Sequence, residues 1–344
     1  MGSVWVKGQE VIEYMSEFVG FKLGLTVSAE QLAQAVRTHG ALELWPDDLE
    51  VTYRYRSEAM EYLGHTLLTA FGDPDAADVR DSPLAIAPLL KEFADFGDLD
   101  EALKFVMNGL PELPLNDQGD ALDPAPLLEE VSRRWGVDGV AVALRLMGTV
   151  NARLTSNLWT RVRRTEHSSR VDLRDLFDSE SLPLPLGVFI DQRFIDYLDA
   201  NTKELACMHW RQFEGLVAEK LRREGLKVGL GPGRADEGVD VRAWDPDAPA
   251  DAPAVLLVQC KRTRQKIERV VVKALAADVI FEGARRGMVA TTSAWSPGAR
   301  STVDARSYPV DEANQDTLIE WLAQMRTPGA GLWLPEGIRQ VPRA

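Results

Sequence analysis

The run Val255-Leu-Leu-Val-Gln-Cys-Lys261 constrains this 344-residue chain more than any other stretch. Four consecutive aliphatic residues predict a strand covered on both faces, the kind found in the middle of an α/β sheet. Period-two geometry places Val255, Leu257, Gln259 and Lys261 on one face. Leu256, Val258 and Cys260 fall on the other, with Cys260 turned into the core. The amide of Gln259 and the ammonium of Lys261 then project together from the strand's end. A covered strand that finishes in two polar groups on one face points to a site.

The flanking sequence supplies further polar groups. Gly238-Val-Asp-Val-Arg-Ala-Trp244 reads as a second strand with one carboxylate, Asp240. Trp210–Leu221 reads as an amphipathic helix ending before Gly225, with Glu214 at the edge of its apolar stripe. Strands at Lys227–Leu230, Gly287–Thr292 and Ser307–Val310 alternate with helices at Pro297–Arg306 and Asp311–Met325. This alternation predicts an α/β C-terminal core with a mixed central sheet flanked by helices. A helix is also predicted from near Gln265, with Ile267, Val270, Val271, Ala274 and Leu275 as its apolar face. Lys266, Arg269 and Lys273 would share the opposite face, close to Arg262. Gly229-Leu-Gly-Pro-Gly-Arg234 lacks a Gly-Lys-Ser/Thr ending, so it reads as a connecting turn with Arg234 at its tip rather than a phosphate-binding loop.

Phe213-Glu214, Asp236-Glu237-Gly238-Val239-Asp240, Gln259-Cys260-Lys261 and Val289-Ala-Thr-Thr-Ser293 occur in an order that resembles the PD-(D/E)xK nuclease superfamily. The closest likeness is to its Mrr-like restriction endonuclease branch, in which Gln replaces the acid before x-Lys. The resemblance covers roughly residues 205 to 325. It implies a Mg²⁺-dependent endonuclease, with Mn²⁺ an alternative ion, double-stranded DNA as substrate, 5′-phosphate products and a homodimer. In such a site Asp240 would bind the cation directly, Gln259 through its side-chain carbonyl and Cys260 through its backbone carbonyl. Glu214 would act through water, and Lys261 would orient or deprotonate the attacking water. Gln259 in place of an acid removes one negative charge, so weaker metal affinity is expected. Asp236 and Glu237 are near enough to compensate. Arg234, Arg262, Lys266, Arg269 and Lys273 are the expected DNA contacts. The competing expectation is a nuclease-like fold that binds DNA or scaffolds without cutting.

The net charge of −14 is unusual for a DNA-binding chain, but residues 1–130 alone carry −17. Local positive stripes, rather than total charge, govern contact with nucleic acid. Residues 1–180 read as an acidic, mostly helical domain that senses, recognises a target or binds a protein partner or ligand. A weaker alternative makes it a DNA mimic that blocks the nuclease until a signal arrives. Ser28-Ala-Glu-Gln31 is a capping box opening a helix that Gly40 ends. Leu49–Arg56 alternates like an edge strand. Helices are predicted at Ser57–Phe71, Asp98–Asn108, Ala125–Trp135 and Val137–Leu154. Six arginines between Arg153 and Arg174 form a basic cluster. Residues 181–188, with two prolines, read as a linker to a nuclease-like domain at 189–326, followed by a tail at 327–344. Two distant cysteines and four scattered histidines give neither a disulfide scaffold nor a zinc spacing. No apolar run reaches the roughly 18 residues of a membrane span. A cytoplasmic protein of a bacterial restriction or phage-defence system is the expectation.

Overall fold

The computed structural model describes residues 2–73, 76–77, 79, 86–114, 122–161, 163, 167–182, 185–233 and 238–327. Arg164, Arg234, Asp236, Glu237 and the tail beyond Thr327 lie outside them. In chain order the first elements are β1 (Ser3–Lys7), α1 (Gly8–Leu23), β2 (Leu25–Thr26), α2 (Ala29–His39), β3 (Thr52–Arg56), α3 (Ser57–Ala70), α4 (Ala87–Glu92), α5 (Leu99–Gly109) and α6 (Ala125–Ser156). Then come β4 (Val171–Asp172), α7 (Asp175–Asp178), α8 (Gln192–Ala200), α9 (Trp210–Arg223), β5 (Lys227–Leu230), β6 (Val241–Trp244), β7 (Leu256–Lys261), α10 (Arg269–Phe281), β8 (Arg286–Thr291), α11 (Pro297–Arg306), β9 (Val310–Ala313) and α12 (Gln315–Met325). Among the described residues no helix is long and apolar enough to cross a membrane.

The chain forms two compact units, one from residues 1–23 and 28–166, the other from Gly24–Val27 and His167–Arg326. The first is mostly helical. Val11, Met15 and Val19 of α1, Leu32 and Val36 of α2, and Leu63 and Leu67 of α3 are all buried. The capping box at Ser28 and Gln31 is present, and Gly40 closes α2 in the left-handed conformation. The helical run Ala125–Ser156 is interrupted at Gly136 (φ 64°, ψ −150°), where the sequence predicted a break between two helices. Glycine reaches this backbone region without a Cβ clash. β3 pairs antiparallel with β1, a partner the sequence reading did not anticipate, and exposes Arg54 and Arg56.

The second unit holds a five-stranded sheet in the order β5-β6-β7-β8-β9. β5, β6 and β7 run antiparallel, whereas β7, β8 and β9 are parallel. Helices α10 and α11 supply the two parallel crossovers, burying Val272, Leu275, Ala276, Val279 and Ala299 against Leu257 and Val289. Gly287 permits this approach, since a Cβ there would lie 2.9 Å from Leu275. Helix α9 packs on β5, β6 and β7, with Phe213, Leu216, Val217 and Leu221 buried.

Residues 167–180, expected with the first domain, pack in the second unit. β4 pairs in parallel with β2, the Leu176 carbonyl accepts from His209 N–H (2.8 Å), and Gln212 Nε2 donates to the Ser181 carbonyl (2.6 Å). The buried Arg193 guanidinium, paired with Asp191, also donates to the carbonyls of Gly24 (2.9 Å) and Ser169 (2.6 Å). A Cβ on Gly24 (φ +71°) would fall 2.7 Å from that guanidinium, so both backbone sign and space require glycine there.

The helix after β7 also departs from expectation. It begins at Arg269, because Ile267 is buried in an extended bridge to Trp295. Ile267 N–H donates to Ala294 O, and Ser296 N–H donates to Ile267 O, both at 2.9 Å. Lys266 therefore lies outside the helix and does not share one helical face with Arg269 and Lys273. The buried face is Val272, Leu275, Ala276 and Val279, while Val270 and Ala274 face outward.

Candidate active site

The site forms where the antiparallel pairing of β6 with β7 runs out. Val241 opposes Val258, so the next residues outward are Asp240 and Gln259. The Asp240 N–H donates to the Val258 carbonyl (2.9 Å), while its side-chain Oδ2 accepts the Cys260 N–H (2.6 Å). The carboxylate thus replaces a backbone carbonyl at the end of the ladder, which pins it beside β7. On its other flank, the Asp240 carbonyl accepts from Gly231 N–H (2.8 Å). Aspartate and amide belong to adjacent strands and the same end of the sheet.

Gln259 is 8% exposed, and its Oε1 has no hydrogen-bond partner among the described residues. A buried acceptor without a donor costs about 1–3 kcal/mol, so its retention points to a ligand. Gly238 (φ +94°) lies against this amide, where a Cβ would sit 3.1 Å from Nε2. Lys261 is half-buried. Its backbone carbonyl is held by Thr291 Oγ1 (2.8 Å) at the end of β8 and by the N–H of Thr292 (3.3 Å) just beyond it. Cys260 is half-exposed rather than sealed in the core, and Cys207 is exposed.

Glu214 is buried on α9 and pairs with Arg211 Nη1 at 2.7 Å. The same nitrogen donates to the Gly231 carbonyl (3.0 Å), so Arg211 ties Glu214 to the backbone segment that also holds Asp240. Sequence reasoning passed over Arg211, although its i, i+3 spacing from Glu214 was a usable signal. Thr291 went equally unassigned, since its contact depends on strand pairing between residues thirty positions apart.

Among the described residues there is no group of three or more His, Cys, Asp or Glu suited to a metal. The available donors are oxygens: the Asp240 carboxylate, Gln259 Oε1 and the Cys260 carbonyl. A strand residue directs its N–H and C=O to the same side, so the Cys260 carbonyl points to the side on which its N–H meets Asp240. Hard oxygen donors with a single formal charge suit a well-hydrated cation such as Mg²⁺ better than a soft one. The Oε1 of Gln259, without a partner among the described residues, is the observation that makes these residues fit a cation.

Arg262, Lys266, Arg269 and Lys273 are all exposed. Within the earlier arginine cluster, Arg163 lies over the Phe21 ring (4.9 Å) and Arg174 is bound to Asp172 (2.5 Å). Both are engaged locally.

Residues 205–322 match the family described as Restriction endonuclease (Mrr_cat). No curated protein matches the chain. A similar solved structure is the MspJI restriction endonuclease in complex with a 27-mer oligonucleotide, at 15% identity and a TM-score of 0.26. That alignment covers 57% of this chain and 48% of the other, and it is too loose to add to the argument.

Proposed function

We propose that the restriction endonuclease domain at residues 205–322 hydrolyses phosphodiester bonds of double-stranded DNA with the help of Mg²⁺, Mn²⁺ being able to substitute. The observation that carries this reading is the buried Gln259 Oε1, without a hydrogen-bond partner among the described residues, beside the Asp240 carboxylate, one residue from Cys260 and two from Lys261. Asp240, Gln259 and the Cys260 carbonyl would hold the cation. When bound, it polarises a phosphoryl oxygen and lowers the pKa of water. Asp240 is kept in place by the Cys260 N–H, so its carboxylate need not reorganise. Lys261, anchored through its backbone by Thr291 and Thr292, orients the attacking water and offsets charge on the phosphoryl group. Arg211 pairs with Glu214 at the back of the site and, through Gly231, positions the strand end that carries Asp240. Arg262, Lys266 and Arg269 follow the catalytic strand and contact phosphates; Lys273 lies one turn further along α10. The first unit would recognise a target or signal in a restriction or phage-defence system, ending in 5′-phosphate products.

A second reading is favoured by the Arg211–Glu214 pair, which occupies the carboxylate expected at a metal. In it the domain binds DNA without cutting. Incubating plasmid with Mg²⁺ and wild type, Lys261→Ala or Asp240→Ala separates the two. Nicking by wild type that both variants lack is the expected result. DNA binding without cutting in any divalent ion would overturn the catalytic reading.

A further inference from the structure

The β1–β3 sheet of the first unit turns one face inward and the other to solvent. On the inner face Tyr55 is buried, its hydroxyl donating to the Leu44 carbonyl (2.8 Å), and Tyr53 and Val6 are half-buried. The register pairs Ser3 with Arg56, Trp5 with Arg54 and Lys7 with Thr52, so these six residues make up the outer face. All six are exposed, Trp5 at 67%. Tryptophan is highly buried on average. This one lies at the middle of the strip, with cations across the sheet and along its own strand.

Charge sets the strip apart as well. Residues 1–130 carry −17 and hold only eight Lys and Arg, yet Lys7, Arg54 and Arg56 share this face and no acidic residue does. Glu50 reaches Lys7 from beside the strip at 3.5 Å, an exposed pair of small worth. Neither Arg54 nor Arg56 pairs with a carboxylate among the described residues. Arg54 Nε donates to Ser3 Oγ (3.3 Å), and its guanidinium carbon stands 5.9 Å from the Trp5 ring centroid. That bond keeps the guanidinium beside the indole. One flat aromatic surface and two guanidiniums about 7 Å apart along β3 thus face outward together.

We propose that this face binds single-stranded DNA, one base stacking on Trp5 while Arg54 and Arg56 contact successive phosphates. An exposed indole offers a π-face that any unpaired base can cover, whereas bases within a duplex already cover one another. Cations spaced along one strand follow a charged backbone rather than clamp a single anion. An acidic peptide would answer the charge but leave the indole without a planar partner. The choice of DNA over RNA rests on the reading of residues 205–322 as a DNA nuclease, and it gives the first unit a ligand. Binding itself requires no cleavage.

The test is fluorescence anisotropy of labelled oligo(dT) with the full chain in EDTA, which keeps cleavage silent. Wild type is expected to bind, and Trp5→Ala to weaken binding on the order of tenfold, the loss of one stacked base. Trp5→Phe keeps a ring and should retain most of the affinity. Arg54→Gln with Arg56→Gln should lower the slope of log affinity against log salt by about 1.4, the value for two phosphates of a single strand. Affinity for a blunt duplex should not change in Trp5→Ala. All three side chains are exposed, so the replacements spare the core, and circular dichroism checks this. No binding of oligo(dT), or binding indifferent to Trp5→Ala, overturns the proposal. An equal loss on duplex makes the face a groove reader and also overturns it. So does displacement by polyglutamate as readily as by unlabelled oligo(dT), or a preference for oligo(U). Plasmid nicking without Trp5-dependent binding sinks this proposal alone. Trp5-dependent binding with no nicking in any divalent ion supports it and sinks the catalytic reading alone.

Discussion

Replacing Gln259 by Met tests the metal-site reading most directly. The two side chains have similar length, but Met presents no acceptor that needs a donor. Gln259 is 8% exposed and its Oε1 has no partner among the described residues, so the wild-type protein is expected to bear a burial penalty of about 1–3 kcal/mol without metal. The exchange also removes the Nε2 group, leaving an expected net gain near 1 kcal/mol. For a unit of this size that raises the melting temperature by about 3 °C. With Mg²⁺ the order should reverse. A ligand at about 100 times its dissociation constant stabilises by about 2.7 kcal/mol, a term that Gln259→Met should largely lose along with cleavage. The assay is thermal unfolding with and without Mg²⁺, followed through the transition of the second unit, alongside plasmid nicking. The reasoning is refuted if the variant is less stable without metal, or if Mg²⁺ stabilises it as much as wild type.

Arg211→Ala should destabilise the second unit by roughly 3 kcal/mol, because it removes the guanidinium that pairs with the buried Glu214 carboxylate. Arg211→Ala combined with Glu214→Gln should recover much of that loss in urea unfolding, and no recovery would show that the pair is not the cause. Glu219 predicts an acid dependence. Burial pushes its carboxyl up, but hydrogen bonds from Arg222, Arg223 and Phe189 N–H outweigh this and hold it below the ordinary 4.5. The folded state therefore binds fewer protons than the unfolded state in that range. The resulting stability is present above pH 4.5 and is lost as pH falls through the lowered value. Glu219→Gln should flatten this acid limb in unfolding measured from pH 7 to pH 3; an unchanged slope would contradict the assignment.

Periodicity and local chemistry settled much of this protein from sequence. Val255–Lys261 declared its strand and faces because side chains alternate in any strand, and Ser28 with Gln31 announced a cap because both groups lie within one turn. Gly136 marked a helix break because few other residues adopt its backbone angles. The order Glu214, Asp240, Gln259, Lys261 likewise pointed to a restriction endonuclease domain before any pairing was known. Tertiary structure alone brought residues 24–27 against 171–172 and so moved the boundary between units. It alone set Arg211 between Glu214 and Gly231, and placed Thr291 on the Lys261 carbonyl. It also rotated α10 so that Val270 and Phe281 face outward, once Ile267 had been taken into a bridge with Trp295. Each of these depends on which distant partner wins a buried contact. A helical or strand repeat limits the available faces, but packing across the sheet chooses among them.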